Sequence, residues 1–284
     1  SACLWSRDGA KLRWLLGHAD WVIGAAFSPD GRWLVTASID GSARLWSQDS
    51  ALQALLGHGD AALSGCCFSP DSQLVLTACT DGTASLWGLD GERRVVMDGH
   101  RESIANGSFS PDGSRILTTS WDGSACLWST AGEELLRLSG HTSALLGGCF
   151  SADGSKILTY SRDHTARIWS RDGQPLAILR GHRDWVLGGC FGSKSGLVLT
   201  VSRDSTARLW RPDGQQLMAL RGHRDWLTAG CFCQEDSCVV TASADHTARL
   251  WPATIAGLDE AAGRHSTREL SPRERDAYLD FERQ

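Results

Sequence analysis

The sequence has little of several things that would point to particular classes of protein. Its 284 residues include only two tyrosines, two methionines and seven prolines. Basic residues do not outnumber acidic ones, because 28 Lys and Arg stand against 33 Asp and Glu, giving a formal charge of -5. Such a balance does not provide the positive surface that a nucleic-acid backbone attracts, so a nucleic-acid partner is not expected.

Long apolar stretches are also missing. No run of about 18 apolar residues occurs, which a membrane-spanning helix would need. Residues 1–5 carry neither the basic region nor the apolar stretch of a signal peptide. The sequence therefore predicts a cytoplasmic protein that has no membrane partner.

Tryptophan, in contrast, is abundant, with 13 copies, and glycine occurs 31 times. Seven tryptophans recur at a spacing of 41 residues, and this internal repeat overrides the two domains that the length alone suggests. A Gly-His pair opens each of the last six repeats, and an Asp precedes the Trp of each of these six by six residues. The spaced tryptophans are Trp5, Trp46, Trp87, Trp128, Trp169, Trp210 and Trp251.

Each repeat has the pattern of four short strands separated by turns. In the first complete repeat, the turn at residues 28–31 (Ser-Pro-Asp-Gly) and the turn Asp40-Gly41 separate apolar runs. The first strand of every repeat is rich in Gly, Ala, Ser and Cys, whereas the third strand carries the bulky Trp. Blades that converge on an axis need small residues at the centre, so the sequence predicts an all-β propeller.

The repeats resemble the WD-repeat (tryptophan-aspartate repeat) β-propeller family over residues 1–251. The resemblance implies four-stranded antiparallel blades, seven in number with the first incomplete, or alternatively six closed blades. It departs from the family in the residue after each repeat Trp, which is never Asp: Ser6, Ser47, Gly88, Ser129, Ser170, Arg211 and Pro252.

The predicted organisation has three parts. Residues 1–16 form a partial blade with a third and a fourth strand, and residues 17–252 form six repeats. Residues 253–284 form a charged tail with a helix near 272–283, where Ser271 and Glu274 make a capping box. Because two strands and an initiator Met are missing at the start, we expect a fragment of a longer chain. The tail and the near-identical repeats resemble propellers of bacterial multidomain signalling and sensor proteins.

Every repeat also brings together groups that could be catalytic. A Ser-His-Asp set could be a nucleophilic triad, but an active site occurs once and this set recurs. In the WD-repeat family such groups form structural hydrogen-bonded tetrads, which satisfy buried polar atoms. The resemblance assigns five tetrads: His18, Ser38, Asp40 and Trp46; His100, Ser120, Asp122 and Trp128; His141, Ser161, Asp163 and Trp169; His182, Ser202, Asp204 and Trp210; His223, Ser243, Asp245 and Trp251.

The ten cysteines offer two alternative sites. In the second repeat Cys79 replaces the serine, which could make a Cys-His-Asp nucleophile or only a small buried side chain. Cys231, Cys233 and Cys238 form a local cluster, but a zinc knuckle would need Cys-x-x-Cys and a fourth ligand. We therefore expect free thiols, no bound metal, no cofactor and no catalytic residues.

Tryptophans outside the 41-residue spacing indicate where a partner would bind. Trp21, Trp185 and Trp226 each lie 25 residues before a spaced Trp. In propellers of the WD-repeat family this position, the position two residues later and the residue before the tetrad Asp line one rim of the central channel. The resemblance thus implies a partner-binding rim of Trp21, Ile23, Trp121, Leu146, Arg162, Trp185, Leu187, Arg203 and Trp226.

Trp and Arg dominate binding hot spots, and the other repeats manage without Trp at the same positions. The alternative is that these tryptophans only cover the ends of neighbouring blades. The sequence thus predicts a non-catalytic scaffold or ligand-sensing propeller that binds a protein or peptide, or upstream domains of its own polypeptide. A self-assembling propeller and an enzyme that uses the axial channel stay open as alternatives.

Overall fold

A computed structural model describes residues 1–6, 8–49 and 51–253, and every regular element within them is a β-strand. The all-β fold class is therefore confirmed. The predicted helix near 272–283, and the predicted tail beyond Ala253, lie outside the described residues. No helix long and apolar enough to cross a membrane occurs in the part of the chain that the structure describes.

The chain divides into two compact units, which we call the N-terminal unit (Ser1–Gly140) and the C-terminal unit (from His141 onward). The strands of the N-terminal unit are β1 (Ala2–Trp5), β2 (Lys11–Leu15), β3 (Val22–Phe27), β4 (Trp33–Ser38), β5 (Ser42–Ser47), β6 (Leu52–Gly57), β7 (Leu63–Phe68), β8 (Leu74–Cys79), β9 (Thr83–Gly88), β10 (Arg93–Asp98), β11 (Ile104–Phe109), β12 (Arg115–Ser120), β13 (Ser124–Ser129) and β14 (Glu134–Ser139).

The strands of the C-terminal unit are β15 (Leu145–Phe150), β16 (Lys156–Ser161), β17 (Ala166–Ser170), β18 (Pro175–Leu179), β19 (Val186–Phe191), β20 (Val198–Ser202), β21 (Thr206–Trp210), β22 (Gln216–Arg221), β23 (Leu227–Cys233), β24 (Cys238–Ser243) and β25 (Ala248–Pro252).

Strands pair antiparallel with their neighbours in the chain, so each sheet is a meander. Within the described residues the sheets are β1–β2, β3–β6, β7–β10, β11–β14, β15–β18, β19–β22 and β23–β25. Five of them have the four strands expected of a propeller blade.

The turn between the first two strands of a sheet is closed by its own side chains. In sheet β3–β6, Ser28 Oγ donates to Asp30 Oδ1 at 2.6 Å and accepts from the Trp33 N–H at 2.9 Å. Gly31 has a φ of 72°, a left-handed conformation that favours glycine. Serine and aspartate thus replace water as partners of the turn backbone.

Small residues are required where the first strands of consecutive sheets lie side by side. A Cβ on Gly107 of β11 would come within 3.0 Å of Leu76 of β8, and a Cβ on Gly230 of β23 would come within 2.7 Å of Val201. Cys67 Sγ also donates to the Gly107 carbonyl of the next sheet, at 3.6 Å. The taper predicted from composition is therefore present as close packing.

The apolar core lies between consecutive sheets. Leu45 and Leu56 pack with Val75 and Trp87 of the following sheet in the N-terminal unit, and all four are buried. Equivalent clusters fill the C-terminal unit. Each sheet depends on its neighbour to bury its apolar face, which is the physical reason for a repeated architecture.

Candidate functional site

A hydrogen-bonded tetrad connects the strands in most sheets, and sheet β19–β22 shows its geometry. Trp210 Nε1 donates to Thr200 Oγ1 at 2.8 Å, and the same hydroxyl lies 2.8 Å from His182 Nε2. On the other side of the ring, His182 Nδ1 donates to Asp204 Oδ2 at 2.9 Å. The same contacts join the members of four other sets: His18, Thr36, Asp40 and Trp46; His100, Thr118, Asp122 and Trp128; His141, Thr159, Asp163 and Trp169; His223, Thr241, Asp245 and Trp251.

The hydroxyl in this arrangement differs from the sequence analysis, which assigned Ser38, Ser120, Ser161, Ser202 and Ser243. A threonine two residues earlier on the same strand takes the place between His and Trp, so the serine assignment is corrected. Alternate residues of a strand face the same side, and therefore both hydroxyls were candidates. The sequence does contain a signal for the threonine. Thr occurs ten residues before the repeat Trp in all six repeats, whereas the serine is replaced by Cys79 in the second repeat.

The serines connect the tetrad to the loop before the first strand instead. Ser202 Oγ accepts from the Asp204 N–H at 3.0 Å and donates to the Asp184 carbonyl at 3.1 Å. Ser120 and Ser243 make the same two contacts in their sheets. The serine therefore fixes the position of the loop that carries the predicted rim residues.

The second repeat departs from this pattern. His58 Nε2 lies 2.6 Å from Thr77 Oγ1, and Trp87 Nε1 donates to the same hydroxyl at 2.7 Å. Within the described residues no hydrogen bond joins His58 to Asp81. The two residues are 23 positions apart, against 22 in the other repeats, so one extra residue separates ring and carboxylate.

Burial and hydrogen bonds shift the pKa values of His100, Asp122 and His182 in directions that favour a neutral ring and an ionised carboxylate. Burial would raise the pKa of Asp122, but hydrogen bonds from Ser124, the Arg101 N–H and His100 outweigh it and lower that pKa to about 2. Burial lowers the pKa of His100 and of His182, although their aspartates act in the opposite direction. A neutral ring donates through Nδ1 and accepts through Nε2, which is what the geometry requires.

The cysteines considered as reactive groups have other contacts. Cys79 is buried and its Sγ donates to the Ala61 carbonyl at 3.6 Å, so it occupies the structural place of the serines. Burial raises the pKa of its thiol to about 11, which opposes formation of a nucleophilic thiolate. All ten cysteines are free thiols. No group of three or more His, Cys, Asp or Glu in the described ranges is arranged to hold a metal, Cys231, Cys233 and Cys238 included.

Backbone hydrogen bonds bring the predicted rim positions together within each sheet. The N–H of the residue before the tetrad Asp donates to the carbonyl of the residue 25 positions before the repeat Trp. Examples are Arg203 to Trp185 at 2.9 Å and Ile39 to Trp21 at 3.0 Å. Wherever the first position is Trp, a preceding Asp accepts its N–H at 2.7 Å, as Asp184 does for Trp185.

Four predicted rim residues of the C-terminal unit, Arg162, Trp185, Arg203 and Trp226, stack on one another, and we call them the rim cluster. The Arg162 guanidinium lies 4.5 Å from the Trp185 ring centroid. Arg203 lies 4.8 Å from the Trp185 ring and 4.9 Å from the Trp226 ring. Guanidinium and indole alternate along this surface in a series of cation–π contacts that crosses three sheets.

The other predicted rim residues are distributed over both units. Leu146 and Leu187 are half-buried on β15 and β19 of the same unit. In the N-terminal unit Trp21 and Ile23 lie exposed on sheet β3–β6, whereas Trp121 lies exposed on sheet β11–β14. Trp21 is 77% exposed, so the Trp position alone does not create a packed aromatic surface without arginines beside it.

Comparison with known protein families agrees with this architecture. A family model for the first β-propeller of IFT122 matches residues 1–252. The chain belongs to this propeller family. The strand layout and the tetrads are those of a WD-repeat-type propeller, and propellers of this type generally act as scaffolds that bind proteins. No curated protein matches the chain at a significant level.

Proposed function

We propose that this propeller is a non-catalytic interaction scaffold, and that its protein or peptide partner binds at the predicted rim. The rim cluster is the observation that carries the proposal. It holds two indoles and two guanidiniums in fixed contact, and such groups lose little side-chain entropy when a partner binds. Leu146 and Leu187 of the C-terminal unit extend the proposed surface. Trp21, Ile23 and Trp121 stay predicted binding residues of the N-terminal unit.

Exposure and lack of a structural role support this use of the cluster. Trp226 is 39% exposed, whereas the tetrad Trp210 is 1% exposed and donates its N–H to Thr200. The three other four-stranded repeats place Ala62, Ser103 and Ala144 where the rim has Trp. The fold therefore does not need an indole at this position, and a binding role accounts for the exposed apolar area.

The test is partner capture by variants of the purified protein. Trp185→Ala combined with Trp226→Ala should abolish recovery of the partner in a pull-down quantified by mass spectrometry, and should lower the midpoint of thermal unfolding by only a few degrees.

Trp14→Ala is the matched control. Trp14 is 50% exposed and also carries a cation, since Lys11 lies 5.6 Å from its ring, but it belongs to β2 and not to the rim. This variant should capture the partner normally. Equal capture by the rim double variant and the wild type would contradict the proposal.

We also propose that the propeller senses a ligand as part of a larger cytoplasmic protein. The propellers of bacterial multidomain sensor proteins, which its repeats resemble, are the model for this role. The near-identical repeats and the ten free thiols support this setting. The sequence upstream of residue 1 in the gene tests it: an effector domain in the same reading frame is the expected result, and a stop codon directly upstream of the first blade would contradict it.

A further inference from the structure

We infer that the rim cluster recognises an anionic side chain of the partner, a carboxylate or a phosphate on an extended peptide, and that Arg203 makes the recognising contact. The inference rests on the proposed function, because it specifies the chemistry of a partner bound at the same rim.

Arg203 is held in place by ring contacts and not by hydrogen bonds from its guanidinium. Its guanidinium is within 5 Å of the ring centroids of both Trp185 and Trp226, so neighbouring indoles restrict its rotation. Its side chain is 39% exposed, and its terminal nitrogens have no hydrogen-bond partner among the described residues. Asp184 Oδ2 lies 4.0 Å from Nε and forms a half-exposed ion pair with it, but this distance is too long for a hydrogen bond. A restrained guanidinium with free N–H donors is suited to bidentate binding of an oxyanion.

A structural arginine in the same protein looks different. Arg137 donates to both carboxylate oxygens of Glu134, to Ser124 Oγ at 3.1 Å and to the Gly99 carbonyl at 2.9 Å. Its donors are committed to neighbouring strands. Arg203 has the opposite pattern, because its guanidinium faces contact indoles while its terminal N–H groups make no hydrogen bond to the described residues. This pattern indicates that the N–H groups bind a ligand.

Charge around the cluster favours an anion over a cation. Arg162 and Arg203 place two positive charges within 5 Å of the Trp185 ring, and a bound anion would relieve their repulsion. A cationic ligand would have to displace arginines from indoles that they already contact. Asp184 and Asp225 each accept the backbone N–H of the following Trp at 2.7 Å, and Asp184 also forms an ion pair with Arg203 at 4.0 Å. One oxygen of each carboxylate therefore caps the loop backbone.

The experiment measures fluorescence anisotropy of four rhodamine-labelled peptides with one common sequence, in which a variable residue alternates with leucine. The variable residue is Glu, phosphoserine, Gln or Lys. We expect the Glu or the phosphoserine peptide to bind at least about tenfold more tightly than the Gln peptide, because a bidentate ionic contact replaces a neutral one. Which of the two binds more tightly identifies the anion. Binding should weaken as salt is added.

Two substitutions test the residue. Arg203→Gln should reduce affinity for the preferred anionic peptide about tenfold, and Arg203→Lys should restore only part of it, because a lysine keeps the charge but loses the planar fork. Arg211→Gln is the matched control: this exposed arginine follows β21 at the end opposite to Arg203, and its loss should change nothing.

Three results would overturn the inference: equal affinity for the anionic and Gln peptides, preference for the Lys peptide, or unchanged binding by Arg203→Gln. None of these results would remove the proposed function, which depends on partner capture by the tryptophans. If Trp185→Ala with Trp226→Ala abolishes capture while Arg203→Gln does not, the rim binds its partner without reading an anion.

Discussion

The tetrads and the rim cluster use the same residue type, tryptophan, for opposite purposes. In a tetrad the indole is buried and its N–H is committed: Trp210 is 1% exposed and donates to Thr200. In the rim cluster the indole is partly exposed and its face contacts an arginine, as Trp226 contacts Arg203. The first arrangement recurs in nearly every sheet, whereas the second joins four residues of the C-terminal unit.

This difference separates what a repeat must conserve in order to fold from what it can vary in order to bind. Groups that satisfy buried polar atoms are costly to change, because their partners are left without hydrogen bonds. Side chains on the rim contribute little to the core. The same position can therefore hold Ala144 in one repeat and Trp185 or Trp226 in others without a change of fold. Variation on a constant frame therefore marks the individual function of a propeller.

The largest effect on stability should come from the tetrad hydroxyl. Thr200→Val keeps the shape of the side chain but leaves Trp210 Nε1 and His182 Nε2 buried without a partner, which should cost about 4 kcal/mol. The midpoint of thermal unfolding should fall by roughly 10 °C, measured by calorimetry. The control Thr200→Ser retains the hydroxyl and should lose much less. An equal loss in both variants would mean that packing of the threonine methyl group, and not the hydroxyl, supports the tetrad.

Acid should destabilise the second repeat through its histidine. Burial, and secondarily the charge of Arg93, lower the pKa of His58 from 6.5 to about 4, so the folded state binds this proton less readily than the unfolded state. The contribution is fully present above pH 6.5 and is lost as the pH falls towards 4, by about 3 kcal/mol at most.

His58→Gln cannot take up the proton, so its unfolding midpoint should fall less than that of the wild type over the same pH range. Parallel pH profiles for the two proteins would contradict this role of His58.

An intermediate effect is expected at the serine that joins the two regions. Ser202→Ala removes a bond to the Asp204 N–H and one to the Asp184 carbonyl, which should cost about 1.5 kcal/mol and reduce partner capture two- to threefold. Ser38→Ala, in the N-terminal unit, should lower stability but leave capture unchanged. If both variants capture the partner normally, the serine does not support the rim.

The smallest effect should be a gain in stability at a turn. His164 follows the tetrad Asp163 in a turn, is exposed and has a φ of 68°. The equivalent position in the first complete repeat, after Asp40, is Gly41. A left-handed conformation is unfavourable for a residue with a Cβ, so His164→Gly should stabilise the protein by about 1 kcal/mol. The reverse change, Gly41→Ala, should destabilise it, because the new methyl group would clash with the Gly59 carbonyl. Chemical denaturation of both variants measures the two signs.

Much of the frame could be predicted from sequence because its signals are periodic. The spacing of tryptophans, the Asp-containing turns and the small residues of the first strands located the strands, and three of the four tetrad members follow from the same spacing. The fourth did not, since Thr36 and Ser38 face the same side of β4 and only the side-chain geometry decides which one reaches His18.

The rim was harder to predict for a different reason. The positions of Trp185, Arg203 and Trp226 followed from the resemblance, but their stacking depends on side-chain directions that spacing does not encode. The identical position of Trp21 illustrates this point, because its rim neighbour is Ile39 and its ring remains exposed. Sequence could therefore name the candidates, and the structure was needed to show which of them contact one another.

The most direct test of the central claim is oxidative footprinting of the tryptophans in the free protein and in complex with the captured partner. The rim cluster predicts that oxidation of Trp185 and Trp226 falls on binding, while the exposed Trp14 is oxidised to the same extent in both states. Protection of Trp14 with no change at Trp185 and Trp226 would place the partner elsewhere and contradict the assignment of the rim.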